Sequence, residues 1–374
     1  MTKVTYDPQF FELTSNQDPL KILITGAAGF IGYHLAKKLI DENVEIVGLD
    51  NLNEYYNLNL KYARLEELGI DKSGLASLNG LAKSNTFDNF SFIQCDLCDK
   101  NTIAALFEEQ GFDVVINMAA QAGIRYSIVH PHSYISSNLE GFLNILEGCR
   151  HFPVKHLIYA SSSSVYGLNK KMPFEISDKT DSPASLYAAT KKANELMAHT
   201  YSHLYNIPST GLRFFTVYGP FGRPDMAYFK FANLINNGQP IDVYNNGEMA
   251  RDFTYIDDIT ESILRLIPLP PNPDSFNGSD GSPSDPETPS NIPYQLFNIG
   301  NGAPVNLLKF IEILESHLGK KADKNMLPMQ PGDVKKTWAD VSNLYSYINY
   351  KPTVGIDEGL KYFSDWYKLY FGVH

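Results

Sequence analysis

At 374 residues, with 31 Lys and Arg against 42 Asp and Glu, the chain carries a formal net charge of −11, which argues against nucleic acid and acidic membrane surfaces as partners. Its 43% hydrophobic and 20% charged content is that of a globular protein able to bury a large core, one big domain with a smaller one attached. Three cysteines exclude a disulfide framework, and no apolar run approaches the roughly 18 residues that a membrane span needs.

The first segment, Met1–Pro19, contains Asp7, Glu12 and Asp18 and lacks the basic-then-apolar order of a signal peptide, so it reads as an N-terminal extension of a cytoplasmic protein. Residues 21–32 then read Lys-Ile-Leu-Ile-Thr-Gly-Ala-Ala-Gly-Phe-Ile-Gly. A strand-type run drops into a turn with Gly26, Gly29 and Gly32, and a helical pattern begins at Phe30 and Ile31. Glycines so spaced let the backbone approach a pyrophosphate while a helix N-terminus faces its charge. A second strand, Val44–Leu49, ends in Asp50, at the distance expected of a ribose-binding carboxylate. Together these predict a nucleotide site.

Further strands are predicted at Phe90–Cys95, Asp113–Met118, His156–Ser161 and Thr210–Phe215, with helices near Leu58–Leu68, Thr102–Glu109, Ser136–Arg150 and Ala188–Tyr205. This alternation implies an α/β fold with a doubly wound parallel sheet over about residues 20–220. Helices near Ala227–Asn237, Asp257–Leu266, Leu307–Leu318 and Gly359–Tyr370 suggest a smaller α/β region over 221–374, some of it returning to the sheet. Asp71–Asn89 and the Pro-, Ser- and Asp-rich stretch 268–293 read as insertions, the first a surface excursion. Cys95-x-x-Cys98 stands without a second pair, so no metal site is predicted.

Tyr187-x-x-x-Lys191 places a phenol and an ammonium on one helix face, an arrangement expected to lower the phenol's pKa and make a general base. The same spacing occurs at Tyr33/Lys37, Tyr166/Lys170 and Tyr347/Lys351. Only Tyr187 opens a long helix after a strand ending in hydroxyls, Ser161–Ser164, at the sheet edge where doubly wound folds bind ligands.

In these residues the chain resembles the extended short-chain dehydrogenase/reductase family, and within it the nucleotide-sugar 4-epimerases. The resemblance is carried by Thr25–Gly32, Asp50-Asn51, Asp96-Leu97, Met118–Gly123, Asn138, Ser161–Gly167, Tyr187/Lys191 and Leu212–Gly219. Asn51–Tyr56, Ala122–Ser127, Phe215–Pro220, Gly222–Ala227 and Pro328–Asp333 look most like UDP-glucuronate 4-epimerases. The resemblance implies a Rossmann fold and bound NAD, which Asp50 favours over NADP. NAD would be contacted by Gly26, Gly29, Phe30, Ile31, Gly32, Asp50, Asn51, Asp96, Leu97, Ala119, Ala120, Gln121, Asn138, Tyr187, Lys191 and Phe215.

It further implies C4 inversion through a 4-keto sugar, with Tyr187 as base and Ser162 sharing the substrate O4. Arg251 would meet the UDP phosphates, and Asp333 would join the uridine pocket. Ser162, Ser163 and Ser164 supply hydroxyls where related decarboxylases and dehydratases carry an acid, and Thr216, Arg223 and Arg125 are candidates to grip a sugar carboxylate. UDP-glucuronate is the first substrate reading, with UDP-hexoses, their N-acetyl forms, decarboxylation or dehydration as alternatives. A catalytically silent NAD-binding sensor stands as a reading from another class. A homodimer through Phe142–Leu146 and Leu196–Leu204, and a role in surface polysaccharide, are implied on the same footing.

Overall fold

The computed structural model describes residues 19–72, 75, 80–272, 292–329 and 334–373. The aliphatic run that opens the described chain forms strand β1 (Leu20–Thr25), in which Ile22, Leu23 and Ile24 are all fully buried. Ile22 and Ile24 join one core cluster and Leu23 another, as alternation across a strand requires of a sheet covered on both faces. The strands that follow are β2 (Val44–Asp50), β3 (Leu81–Lys83), β4 (Phe90–Gln94), β5 (Val114–Asn117), β6 (His156–Ser162), β7 (Ser209–Phe214), β8 (Thr216–Tyr218), β9 (Ile241–Tyr244), β10 (Ala250–Tyr255), β11 (Tyr294–Ile299), β12 (Pro304–Asn306) and β13 (Lys324–Leu327).

The described residues form an eight-stranded sheet in the order β11-β7-β6-β5-β1-β2-β4-β3. It is parallel except for β3, and in register Ile22 lies between Ile46 and Val114. The chain winds outward from β1 through β2 and β4, then returns to β5 on the other side. This reversal opens a crevice beyond the carboxyl ends of β1 and β5. Helices Phe30–Leu39, Leu58–Glu67 and Ile256–Leu266 cover one face; Lys100–Gln110, Gly141–His151 and Leu186–Tyr205 cover the other.

β11, from late in the chain, adds an edge strand beside β7. A three-stranded sheet β12-β10-β8 and the pair β13-β9 stand over the crevice side with helices Ala227–Asn236, Leu307–Leu318 and Ile356–Phe371. Phe253 stacks on Phe310 at 4.4 Å between ring centroids, joining this region to the first core cluster.

The excursion expected over 71–89 is in part a strand, since Leu81–Lys83 pairs antiparallel with β4 at the sheet edge. Three residues are too few to show alternation in sequence, and so short an edge strand blunts further pairing. Residues 1–18, and most of the insertion expected over 268–293, lie outside the described residues. Among the described residues no helix is long and apolar enough to cross a membrane.

Candidate active site

The crevice is pinned at its floor. Thr25 Oγ1 donates to Asn117 Oδ1 at 2.7 Å and accepts from the Ala119 amide at 3.1 Å, tying the ends of β1 and β5 together. Gly26 follows with φ +71°, and a Cβ there would lie 2.9 Å from the Ala119 amide nitrogen. A Cβ on Gly32 would come within 2.2 Å of the Gly26 carbonyl. No side chain fits either place, so the turn leaves a bare backbone cradle at the N-terminus of helix Phe30–Leu39, whose first amides face the crevice.

At the end of β2, Asp50 accepts from the Leu52 amide at 2.8 Å and from Lys61 Nζ at 3.3 Å. Asn51 Nδ2 donates to Asp96 at 2.8 Å, joining the acid ends of β2 and β4. The burial of Asp96 would raise its pKa, but bonds from the Cys98 amide and Asn51 outweigh that and hold it below the ordinary carboxylate range.

The other end of the same cleft is built by β6 and helix Leu186–Tyr205. Ser185 caps that helix by accepting from the Ala188 amide at 3.1 Å, so Tyr187 enters on its first turn. Tyr187, Lys191 and Ser162 all line the cleft, together with Gly26, Asp50 and Arg223. Lys191 is buried and donates to the Ala160 carbonyl at 2.8 Å; desolvation pushes its pKa down to about 8. Beneath it, Arg213 grips Glu195 with two bonds of 2.8 and 3.0 Å, and Ser161 donates to the same carboxylate at 2.6 Å. This buried pair fixes the strand end that presents Ser162.

The phenol departs from expectation. Burial raises the Tyr187 pKa, against the lowering effects of the Ser162 hydrogen bond and Arg223, while Asp225 adds to the rise. Lys191 is absent from that balance, because its ammonium is turned to the β6 carbonyl. The four-residue spacing delivers both side chains to the cleft without pairing them. The hydroxyl that favours the phenolate is Ser162.

Of the predicted cofactor contacts, Gly29, Phe30, Ile31, Gly32, Asn51, Asp96, Leu97, Ala119, Ala120, Gln121 and Phe215 also line the cleft. Asn138 instead sits behind the wall, accepting from the Gln121 amide at 2.8 Å and donating to its carbonyl at 3.0 Å, with Ser137 at the surface. Ser163 and Ser164 turn away into the short helix Ser163–Tyr166, and Ser164 accepts from Ser162 at 3.1 Å. Thr216 lies in β8 beside Phe253 and does not line the cleft.

The predicted carboxylate-gripping arginines are differently engaged. Arg223 reaches the cleft, but its fork is closed on Asp225 with bonds of 3.0 and 2.5 Å, which offsets its positive charge. Arg125 lies over the Tyr244 ring at 5.4 Å, and Arg251 donates to the Ala250 and Lys335 carbonyls at 3.0 and 3.2 Å; neither lines the cleft. Asp333 lies outside the described residues.

Sequence reasoning passed over Lys61, Tyr55, Ser137 and Met226, all in the cleft wall. Lys61 and Arg64 fall in phase with Leu60 and Leu65 on the buried face of helix Leu58–Glu67, and two cations on an apolar stripe are the signal that could have found them.

Residues 22–277 match the NAD dependent epimerase/dehydratase family. The chain is 52% identical to Protein CapI of Staphylococcus aureus over 94% of its own length and 99% of that protein's. It is 45% identical to a probable UDP-glucuronate 4-epimerase of Rhizobium meliloti, covering 93% of this chain and 97% of the relative. A crystal structure of UDP-glucuronic acid 4-epimerase from Bacillus cereus with UDP-glucuronic acid and NAD superposes with a TM-score of 0.77 at 32% identity, over 94% of this chain and 100% of that one.

Proposed function

The chain belongs to the NAD dependent epimerase/dehydratase family, and from that premise we propose that it is an isomerase that inverts C4 of UDP-glucuronate to give UDP-galacturonate, with NAD held throughout. The observation that carries this reading is one continuous cleft with a bare glycine cradle and Asp50 at one end and Tyr187, Lys191 and Ser162 at the other. The glycine turn, where a Cβ would collide with the turn's own backbone or with that of Ala119, brings bare backbone to the crevice and fits a dinucleotide pyrophosphate, and Asp50 fits an unphosphorylated ribose. Gly26, Gly29, Gly32, Asp50, Asn51 and Asp96 would hold NAD, which when bound supplies an acceptor that takes a hydride from C4 and gives it back.

The protein's own part is binding and proton movement. Tyr187 Oη, as phenolate, would take the proton from the substrate O4 and later return it; burial opposes that phenolate, the Ser162 hydroxyl and Arg223 favour it, and Ser162 shares O4. Lys191, drawn to the Ala160 carbonyl, holds a cation at the cleft wall. Oxidation at C4 makes a β-keto acid prone to lose its carboxylate. The run Ser161–Ser164 is all hydroxyls, so it offers no carboxylic acid to drive that loss. Arg223 is assigned to the sugar carboxylate on its place in the cleft wall; Thr216 and Arg125 for that carboxylate, and Arg251 and Asp333 for the UDP moiety, rest on the family resemblance alone. The dinucleotide falls to residues 20–220 and the UDP-sugar mainly to 221–374.

A homodimer is part of the same reading, supported by Leu143, Leu196 and Leu204, which stand exposed on helices Gly141–His151 and Leu186–Tyr205. Incubating the purified protein with UDP-glucuronate and following the sugar by NMR tests the reading. UDP-galacturonate is expected, and Tyr187→Phe should lower its formation about 10²–10⁴-fold while NAD remains bound. A UDP-pentose product would replace epimerisation by decarboxylation, and absence of turnover would favour a silent NAD-binding protein.

A further inference from the structure

Arg64, on helix Leu58–Glu67, is wholly buried, yet none of the described carboxylates pairs with it. Its donors go to neutral oxygens on three separate stretches of chain. Nη1 donates to the Ala28 carbonyl at 2.8 Å and to the Tyr56 hydroxyl at 2.6 Å. Nε and Nη2 donate to the Phe221 carbonyl at 3.1 and 2.7 Å, and Nη2 also reaches the Gly222 carbonyl at 3.3 Å. Ala28 belongs to the glycine turn between Gly26 and Gly29. Phe221 and Gly222 open the segment that carries Arg223 and Met226 into the cleft. Neither Arg64 nor the carbonyls it holds line the cleft themselves.

The same segment is docked at two more points. The Pro220 carbonyl accepts from His34 Nε2 at 2.9 Å, and burial pushes the His34 pKa down to about 3, which keeps that ring neutral. The Tyr55 hydroxyl donates to Asp225 at 3.1 Å. Phe221 has φ +52°, a left-handed conformation that a bulky residue keeps only where its surroundings impose it.

A buried guanidinium without a counter-charge is costly, and an apolar side chain would fill the space more cheaply. What the planar fork adds is a fixed geometry between several acceptors at once. The turn it braces fits a pyrophosphate, so the ligand brings the negative charge that the fold leaves out. We propose that Arg64 is a positioning residue that couples the two ends of the cleft, so that a dinucleotide on the glycine turn and a UDP-sugar against residues 220–226 each hold the other in place. The inference rests on the reading of this cleft as one that takes both ligands. Such coupling is reciprocal: whatever the sugar nucleotide gains from NAD, NAD gains from it. An enzyme that must not release its cofactor between two hydride steps has a use for it.

The test follows NAD retained by the holoenzyme during repeated ultrafiltration, with and without saturating UDP, and quantified after denaturation. In the wild type, UDP should slow the loss of NAD by about fivefold or more, the lower end of usual couplings. In Arg64→Lys, which keeps the charge and loses the fork, and in Arg64→Met, the effect of UDP should fall below about twofold, against that same scale. A wild-type effect of UDP in either folded variant overturns the inference, as does no effect of UDP in the wild type. A wild type that holds no NAD sinks the cofactor reading itself. Hydrogen exchange on the wild-type holoenzyme gives a second measurement that needs no variant. UDP should slow exchange at the amides of Ala27, Ala28 and Gly29, and unchanged exchange there overturns the proposal.

Discussion

Replacing Lys191 by Met should make the cofactor-free protein more stable while removing its activity. Lys191 is 3% exposed, and desolvation takes its pKa from 10.5 to about 8. At 1.36 kcal/mol per tenfold change in the protonation equilibrium, keeping that charge costs about 3 kcal/mol. Met fills similar space without charge but gives up the bond to the Ala160 carbonyl, worth about 1 kcal/mol. The expected gain at pH 7 is therefore about 1–3 kcal/mol. Its pH dependence has a definite sign. Below pH 8 the lysine is protonated in both states and the penalty is complete. From about 8 to 10.5 the unfolded chain binds more protons than the folded one, so wild-type stability rises and the variant's advantage shrinks. Urea unfolding of NAD-stripped wild type and Lys191→Met, at neutral and alkaline pH, measures this directly. A variant less stable than wild type at pH 7, or an advantage that grows with pH, refutes the reasoning. Turnover by the variant should fall at least about a hundredfold.

Glu195→Gln should destabilise the fold by about 3–5 kcal/mol, because it leaves the buried Arg213 guanidinium without its charge partner; urea unfolding measures it, and a double variant with Arg213→Met should recover much of the loss. Burial pushes the Glu195 pKa up but Arg213 outweighs it and holds the carboxyl below its ordinary value, so this stability is present above about pH 4.5 and is lost on acidification. Asp50→Asn should weaken NAD binding to the stripped protein and narrow its preference over NADP at least about tenfold by calorimetry, since Lys61 Nζ, 3.3 Å from Asp50, becomes available to a 2′-phosphate. Asp225→Asn should open the fork of Arg223 and raise the ratio of kcat/KM for UDP-glucuronate over UDP-glucose about three- to tenfold in steady-state assays; an unchanged ratio would separate Arg223 from the carboxylate.

The parallel sheet was legible because the middles of β1, β2 and β6 are buried on both faces and so are written as short apolar runs, Ile22–Ile24, Ile46–Leu49 and Leu157–Tyr159. The glycine turn and Asp50 were legible because a close backbone approach and a ribose contact each demand one residue type at one place. Tyr187 could be chosen among four matches because a helix that starts after a hydroxyl-rich strand end has one location in such a fold. What the sequence left open depends on where long side chains end. Lys191 shares a helix face with Tyr187, yet its ammonium is captured by Ala160. Arg223 pairs with a carboxylate two residues away, and Asn138 serves the Gln121 backbone from behind the wall. Lys61 and Arg64 share a helix face with Leu60 and Leu65, but that Lys61 turns to Asp50 and Arg64 to Phe221 and Gly222 depends on how distant segments pack. Spacing fixes which face a residue occupies; packing decides what it touches.

The bonds from Thr25 to Asn117 and from Ala119 to Thr25 act as a gauge block between two central strands. Prising β1 from β5 would break both at once, so the hollow cannot be widened from below to admit a bulkier sugar. Any retuning of what this enzyme accepts has to be carved from above, in residues 122–126 and 216–226, and a directed-evolution library there should reach new sugars provided that residues 220–222, which Arg64 and His34 tie to the glycine turn and its helix, are left unchanged.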